Sequence, residues 1–185
     1  MHSLDEPKKS QTIDSAVVPR VDLEQTLGGR MRVSALPAAG ERALAELIER
    51  HLAHEAVPVP VHRIAEREGW EIEFRQDLGS ILGISGIYRG VKLMWINARL
   101  SSAERRAVIA HELGHWINGD EQVIRTCRSS SFAYHWDARL EHDATVAAAR
   151  LLIPEWTIRE YRTVEAIAAA CDVPTWLVQV GYRTE

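Results

Sequence analysis

The chain has 185 residues, of which 46% are apolar and 26% charged, a composition typical of a globular protein with a hydrophobic core. A formal net charge of −4 argues against bulk electrostatic binding to nucleic acid. The sequence has no apolar run long enough to span a bilayer and no signal-peptide core at its N-terminus. Because two cysteines make no disulfide framework, a reducing cytoplasm is the simplest setting. Composition therefore predicts a soluble cytoplasmic protein and leaves its substrate open.

The first third of the chain predicts an arm followed by two helices. Residues 1–36 are polar, charged and aperiodic, which predicts a mostly disordered N-terminal arm. Apolar residues at helical spacing predict an amphipathic helix over residues 37–55. After an extended, proline-rich break, a short helix is expected over residues 61–68, with Gly69 closing it.

Three strands are expected next. Trp70 to Phe74 alternates apolar with acidic residues, as a half-buried strand does. Two further apolar runs, Ile84 to Tyr88 and Val91 to Ile96, flank Arg89-Gly90, a plausible hairpin turn. The sequence therefore predicts a small, largely antiparallel sheet ahead of the next helix.

An H-E-x-x-H motif follows, running from His111 to His115. Residues 101–104 read as a capping box, and residues 105–117 carry apolar side chains at helical spacing. On a helix the two histidines lie one turn apart on one face, where both can bind one metal ion. Glu112 then lies beside that ion, where it can act as a general base toward water. The motif predicts a metal-dependent hydrolase; the alternative is a pair of helical histidines that bind no metal.

A hydrolytic zinc site needs a third protein ligand. The candidates after the motif are His135, Glu141, His142 and Asp143; Asp120 and Glu121 lie too near the helix end to fold back easily. The segment after Asp137, which can cap it, is predicted to form a return helix that Pro154 ends. Glu141 is favoured because it lies 26 residues after His115 and beside the apolar stripe of that helix, where a carboxylate can point inward. Spacing alone leaves two interpretations of Glu141 open, a metal ligand and a solvated acid on a helix flank.

The segment between these two helices, Gly119 to Tyr134, is polar and has no clear period, so a loop near the site is expected. Tyr134 and His135, just before the return helix, are candidates for stabilising an oxyanion. Their alternative role is packing, since they belong to an aromatic-rich run.

The C-terminal region contains two short helical patterns, Val164 to Ala170 and Pro174 to Val180. Their spacing is similar to that of a helix-turn-helix. The only basic residue after position 163 is Arg183, so contacts to phosphates look poor and packing or partner docking is favoured.

The blocks around these motifs together resemble the ImmA/IrrE metallopeptidases. The resembling blocks are Trp95 to Ser101, Arg105 to Trp116, Glu141 to Ala144, and Leu151 to Pro154. The resemblance covers roughly residues 40–182 and implies an α+β fold: a mostly helical, zincin-like domain with a small antiparallel sheet and C-terminal helix-turn-helix-like helices. It also implies that His111, His115 and Glu141 bind Zn²⁺, with Mn²⁺ as the alternative, and that Glu112 is the catalytic base. The chain departs from the family pattern at Thr145, where the family often has Asn or Asp, and at Ala147-Ala148.

The resemblance implies a zinc-dependent metalloendopeptidase in the cytoplasm. Members whose activity is understood cleave a helix-turn-helix repressor, which switches on DNA-damage or mobile-element genes. A repressor is therefore the expected partner, without direct binding to nucleic acid or membrane. The alternative is a scaffold that sequesters the repressor without cutting it, for which an intact Glu112 is unnecessary. Three parts are expected: the arm at 1–36, the metallopeptidase domain at 37–162, and a helical extension packed on it at 163–185.

Overall fold

The computed structural model describes residues 31–52, 57–119, 124–128 and 138–184, and the elements below belong to these ranges. The strands are β1 (Met31–Val33), β2 (Trp70–Arg75), β3 (Ile81–Tyr88), β4 (Val91–Asn97), β5 (Ile124–Arg128) and β6 (Tyr182–Thr184). The helices are α1 (Ala38–His51), α2 (Val61–Arg67), α3 (Ser102–Ile117), α4 (Ala138–Leu152), α5 (Glu155–Glu160), α6 (Val164–Cys171) and α7 (Thr175–Gly181). The predicted α+β class is confirmed.

The larger sheet has the strand order β2-β4-β3-β5. The pair β3–β4 is antiparallel, as the predicted hairpin requires, and β5, a strand that the sequence did not indicate, also runs antiparallel to β3. The expectation of an antiparallel sheet is wrong for β2, which runs parallel to β4. The tight turn between β3 and β4 reverses the chain, so β4 returns beside β2 in the same direction. The alternation of apolar and polar residues within β2 does not show which strand pairs with it or in which direction that strand runs.

Short-range signals in the sequence produce the expected local structures. Arg89 and Gly90 both have positive φ, 50° and 82°, as a type I′ hairpin turn requires. Before α3, the Ser101 side chain accepts a hydrogen bond from the Glu104 backbone N–H, and the Glu104 carboxylate accepts one from the Ser101 backbone. This capping box places the start of the helix at Ser102, three residues before the apolar pattern becomes visible.

Helix α3 lies between the sheet and α4 at the centre of the core. It comes close to α4 at Gly114, where an added Cβ would lie 2.3 Å from the backbone oxygen of Ala144. On its other side α4 packs against α7, where Gly181 faces Ala149. Small residues on α4 therefore allow α3 and α7 to approach this helix closely on its two sides. The C-terminal helix α7 thus packs on the helix that carries Glu141.

Some expected boundaries differ in the structure. The predicted loop Gly119 to Tyr134 contains β5, and its residues 120–123 and 129–134 lie outside the described residues. Residues 1–30 of the predicted arm also lie outside them, but Met31–Val33 pairs with Tyr182–Thr184 as a two-stranded antiparallel sheet. The helix expected over 37–55 ends at His51, and α5 was not predicted. The short strands β1 and β5 form because a strand distant in sequence pairs with their backbone. No local sequence pattern indicates that pairing.

Candidate metal centre

The H-E-x-x-H motif lies on α3, and both of its histidines are buried, with 1% exposure at His111 and 4% at His115. Their Nε2 atoms are 3.2 Å apart. Glu141, in the first turn of α4, places Oε2 3.2 Å from His111 Nε2 and Oε1 3.5 Å from His115 Nε2. One ligand atom from each residue lies within 4.8 Å of the others. The structure therefore brings together the three side chains expected as metal ligands.

The close contact between the two helices places Glu141 opposite the histidines. Gly114 lies between His111 and His115 along α3, and Ala144 is one turn after Glu141 on α4. The contact of Gly114 with the Ala144 backbone therefore lies immediately beside the ligand atoms. In this geometry the Glu141 carboxylate faces the two histidines, as a metal ligand at this position would.

Thr145 fixes the orientation of the His111 ring. Its hydroxyl donates to the backbone oxygen of Glu141 at 2.7 Å, and its oxygen lies 3.2 Å from His111 Nδ1. Because a hydroxyl has one hydrogen, the Thr145 oxygen acts as the acceptor toward an Nδ1–H. In a neutral ring with its proton on Nδ1, the lone pair would lie on Nε2, the atom that faces His115 and Glu141 and could bind a metal ion. At Thr145, where the chain departs from the family pattern, a hydroxyl therefore contacts His111.

The three side chains fit a divalent transition metal. Two imidazole nitrogens and one carboxylate oxygen are a common protein donor set for catalytic Zn²⁺, and the carboxylate also suits Mn²⁺. Burial raises the pKa of Glu141, but hydrogen bonds and charges from His111 and His115 outweigh it and hold that pKa well below its usual value. The carboxylate is therefore ionised at neutral pH, the form in which it can bind a metal.

Glu112 lies on the side of α3 that faces the sheet, and only 2% of it is exposed. The buried Ser85 hydroxyl on β3 donates a hydrogen bond to Glu112 Oε2. Two residues earlier on the same face of β3, a Cβ added to Gly83 would lie 3.5 Å from Glu112 Oε1. The strand therefore passes directly against the carboxylate, which is held outside the ligand triad but next to His111.

A buried thiol also lies near these acids. Cys127 on β5 is the register partner of Gly83 on β3. Burial raises the pKa of the Cys127 thiol well above its usual value, and the negative charges of Glu112 and Glu141 raise it further. The thiol stays protonated at neutral pH, and among the described residues the cluster of possible ligand atoms consists of His111, His115 and Glu141 without it.

The remaining candidates do not join the cluster or cannot be placed. Asp143 is buried but points toward Arg139, with its Oδ2 3.8 Å from Arg139 Nε, and His142 is exposed. Tyr134 and His135 lie outside the described residues, as do Asp120, Glu121 and Asp137. Sequence analysis missed Ser85, although a polar residue facing inward on a strand is a signal that could have identified it.

A helix with H-E-x-x-H, backed by a mixed sheet and crossed by a helix that supplies a glutamate, defines a zincin-like metallopeptidase domain. The family model described as the IrrE N-terminal-like domain, Peptidase_M78, matches residues 65–175, more than half of the chain. The chain therefore belongs to the ImmA/IrrE family of metallopeptidases. No curated protein matches the chain.

Proposed function

We propose that this protein is a zinc-dependent endopeptidase of the cytoplasm, with manganese as the alternative metal. The observation that carries the proposal is the convergence of His111, His115 and Glu141 within 4.8 Å, beside the buried acid Glu112. No helix in the described part of the chain has both the length and the apolarity needed to cross a membrane.

The chemistry follows from the roles of these side chains. A divalent ion held by the three ligands would lower the pKa of a water molecule and polarise a peptide carbonyl. Glu112 would accept a proton from the attacking water as the carbon–oxygen bond forms, and pass it to the amine as the carbon–nitrogen bond breaks. Burial of Glu112 against β3 keeps this carboxylate at a fixed place relative to His111.

The proposed substrate is a helix-turn-helix transcriptional repressor, whose cleavage would derepress DNA-damage or mobile-element genes. Membership of the ImmA/IrrE family supports a regulatory role of this kind. The net charge of −4 gives no support to direct binding of nucleic acid.

Co-expression with a repressor-like protein encoded beside its gene tests the proposal. Wild type should cut the repressor, and mass spectrometry of the fragments should give one cut site. The Glu112→Gln variant should bind the repressor and leave it intact, because glutamine keeps the size of the side chain and removes the base. Binding by both proteins with cleavage by neither would instead favour a scaffold that sequesters the repressor.

A second experiment tests the metal. Wild-type protein stripped with a chelator should lose activity and regain it when Zn²⁺ or Mn²⁺ is added back, and elemental analysis of the protein as purified should identify the ion that it carries. The Glu112→Gln variant serves as the control, since it retains all three proposed ligands and should bind the same ion equally well. Restoration of wild-type activity by neither ion would contradict the proposal.

A further inference from the structure

We propose that Ser85 is a positioning residue that fixes the Glu112 carboxylate for proton transfer, an inference that rests on the proposed peptidase function. Ser85 is buried in the middle of β3, with 5% exposure, and its hydroxyl donates to Glu112 Oε2. Within the described residues its hydrogen bond goes to Glu112 and not to the three proposed ligands. Ser85 can therefore influence the base without holding the metal.

The surroundings of Ser85 show why a hydroxyl at this position needs that bond. Its register partner on β4 is Met94, which is completely buried. A hydroxyl in apolar surroundings costs free energy unless it is hydrogen-bonded, whereas alanine would fill nearly the same space at no such cost. The bond to Glu112 accounts for a polar residue at this inward-facing position.

The backbone of β3 runs close to Glu112. At Gly83, on the same face as Ser85, an added Cβ would lie 2.6 Å from Val108 Cγ1, so β3 contacts α3 closely at the turn of helix before Glu112. Because the backbone comes this near, the short serine side chain can reach the carboxylate directly. A hydrogen bond at one oxygen resists rotation of the carboxylate, and a general base acts only when it lies within hydrogen-bond reach of the proton it accepts.

The inference can be tested without knowing the substrate, using acetohydroxamate on protein loaded with Zn²⁺ or Co²⁺. A hydroxamate chelates the metal and shares its hydroxyl proton with a neighbouring carboxylate, so its affinity reports the placement of Glu112. Ser85→Ala should bind acetohydroxamate about tenfold more weakly than wild type, because a carboxylate that is free to rotate is less often placed to share the hydroxamate proton. Ser85→Thr, which keeps the hydroxyl, should restore most of the affinity, and Glu112→Gln gives the reference loss.

The matched control is Ser34→Ala, because the Ser34 hydroxyl also makes one hydrogen bond, to the Val180 backbone oxygen at 2.8 Å, in another part of the fold. This control should bind acetohydroxamate like wild type. The Zn²⁺ affinity of Ser85→Ala should also stay within about twofold of wild type, since none of the ligands is altered. Unchanged hydroxamate affinity in Ser85→Ala, or an equal loss of metal affinity, would overturn the proposal.

Two further measurements separate this inference from the proposed function. With a cleavable repressor, Ser85→Ala should lower kcat about tenfold and leave KM unchanged, because the placement of the base affects proton transfer and not the binding of the substrate. If wild type cuts no repressor while the hydroxamate affinity still depends on Ser85, the peptidase proposal fails and the positioning role stands. A crystal structure of the zinc-loaded wild type tests the contact without relying on the folding of a variant. A distance beyond about 3.5 Å between the Ser85 hydroxyl and the Glu112 carboxylate would refute the role.

Discussion

Replacing Gly114 with alanine tests whether the tight contact between α3 and α4 builds the metal centre. A methyl group there would lie 2.3 Å from the backbone oxygen of Ala144 and 2.9 Å from its carbonyl carbon. Since an ordinary carbon–oxygen contact is about 3.3 Å or longer, the two helices must separate by about 1 Å at this point. Backbone atoms cannot move aside as the end of a flexible side chain can. The displacement is therefore passed to Glu141, one turn away on α4.

The magnitude follows from how narrowly a metal site tolerates its ligand distances. Those distances must hold within about 0.2 Å, so a retreat of about 1 Å removes Glu141 from the coordination shell. We expect the Zn²⁺ affinity to fall on the order of 100-fold or more. Overpacking costs about 1–3 kcal/mol of unfolding free energy, and alanine regains about 1 kcal/mol over glycine within a helix. The substitution should therefore weaken Zn²⁺ binding strongly while it lowers the free energy of unfolding only modestly.

The assay is a competition titration of Zn²⁺ against a chromogenic chelator, together with thermal unfolding with and without Zn²⁺. Gly181→Ala is the matched control, because its added Cβ would lie 2.5 Å from Ala149 Cβ, on the opposite side of α4. It should lower stability and keep the Zn²⁺ affinity within about threefold of wild type. Wild-type affinity in Gly114→Ala, or equal losses in both variants, would refute the reasoning.

Two further predictions concern the hydrogen bonds of the Thr145 and Glu68 side chains. Thr145→Val keeps the shape of the side chain but removes the acceptor for His111 Nδ1–H, so the Zn²⁺ affinity should fall about 10–100-fold in the same titration, whereas Thr145→Ser should retain it. Burial raises the pKa of Glu68, but hydrogen bonds and charges from His51 and Arg50 lower it below its usual 4.5. The stability from this lowered pKa is present above pH 4.5 and is lost as the pH falls through the folded value. Urea unfolding from pH 6 to pH 3 should therefore show a smaller loss of unfolding free energy in Glu68→Gln than in wild type; equal losses would contradict the assignment.

Features decided by residues close in sequence could be predicted. The capping box involves Ser101 and Glu104, which lie within one turn. The hairpin depends on Arg89 and Gly90 alone, and the end of α2 depends on Gly69, whose φ is +85°. In each case the residue types that satisfy the local backbone are few, so the sequence shows both the structure and its position.

Features decided by distant pairing could not be predicted. Met31–Val33 becomes a strand because Tyr182–Thr184, at the other end of the chain, runs antiparallel beside it. Residues 124–128 show no alternation of apolar and polar residues, and they form β5 because β3 supplies a ladder of hydrogen bonds. The strand propensity of a residue reflects how well its side chain packs against neighbouring strands. It therefore does not show which strand will be the neighbour.

The metal centre depends on both kinds of information. The spacing of His111 and His115 is local, and any α-helix over the motif places them on one face. The position of Glu141 depends on how closely α4 crosses α3, which spacing along the chain leaves open. The signal for that crossing is a small residue on each helix, Gly114 and Ala144, but either one alone looks like ordinary helical packing. Only their contact shows that a side chain larger than hydrogen at position 114 would push Glu141 away from the two histidines.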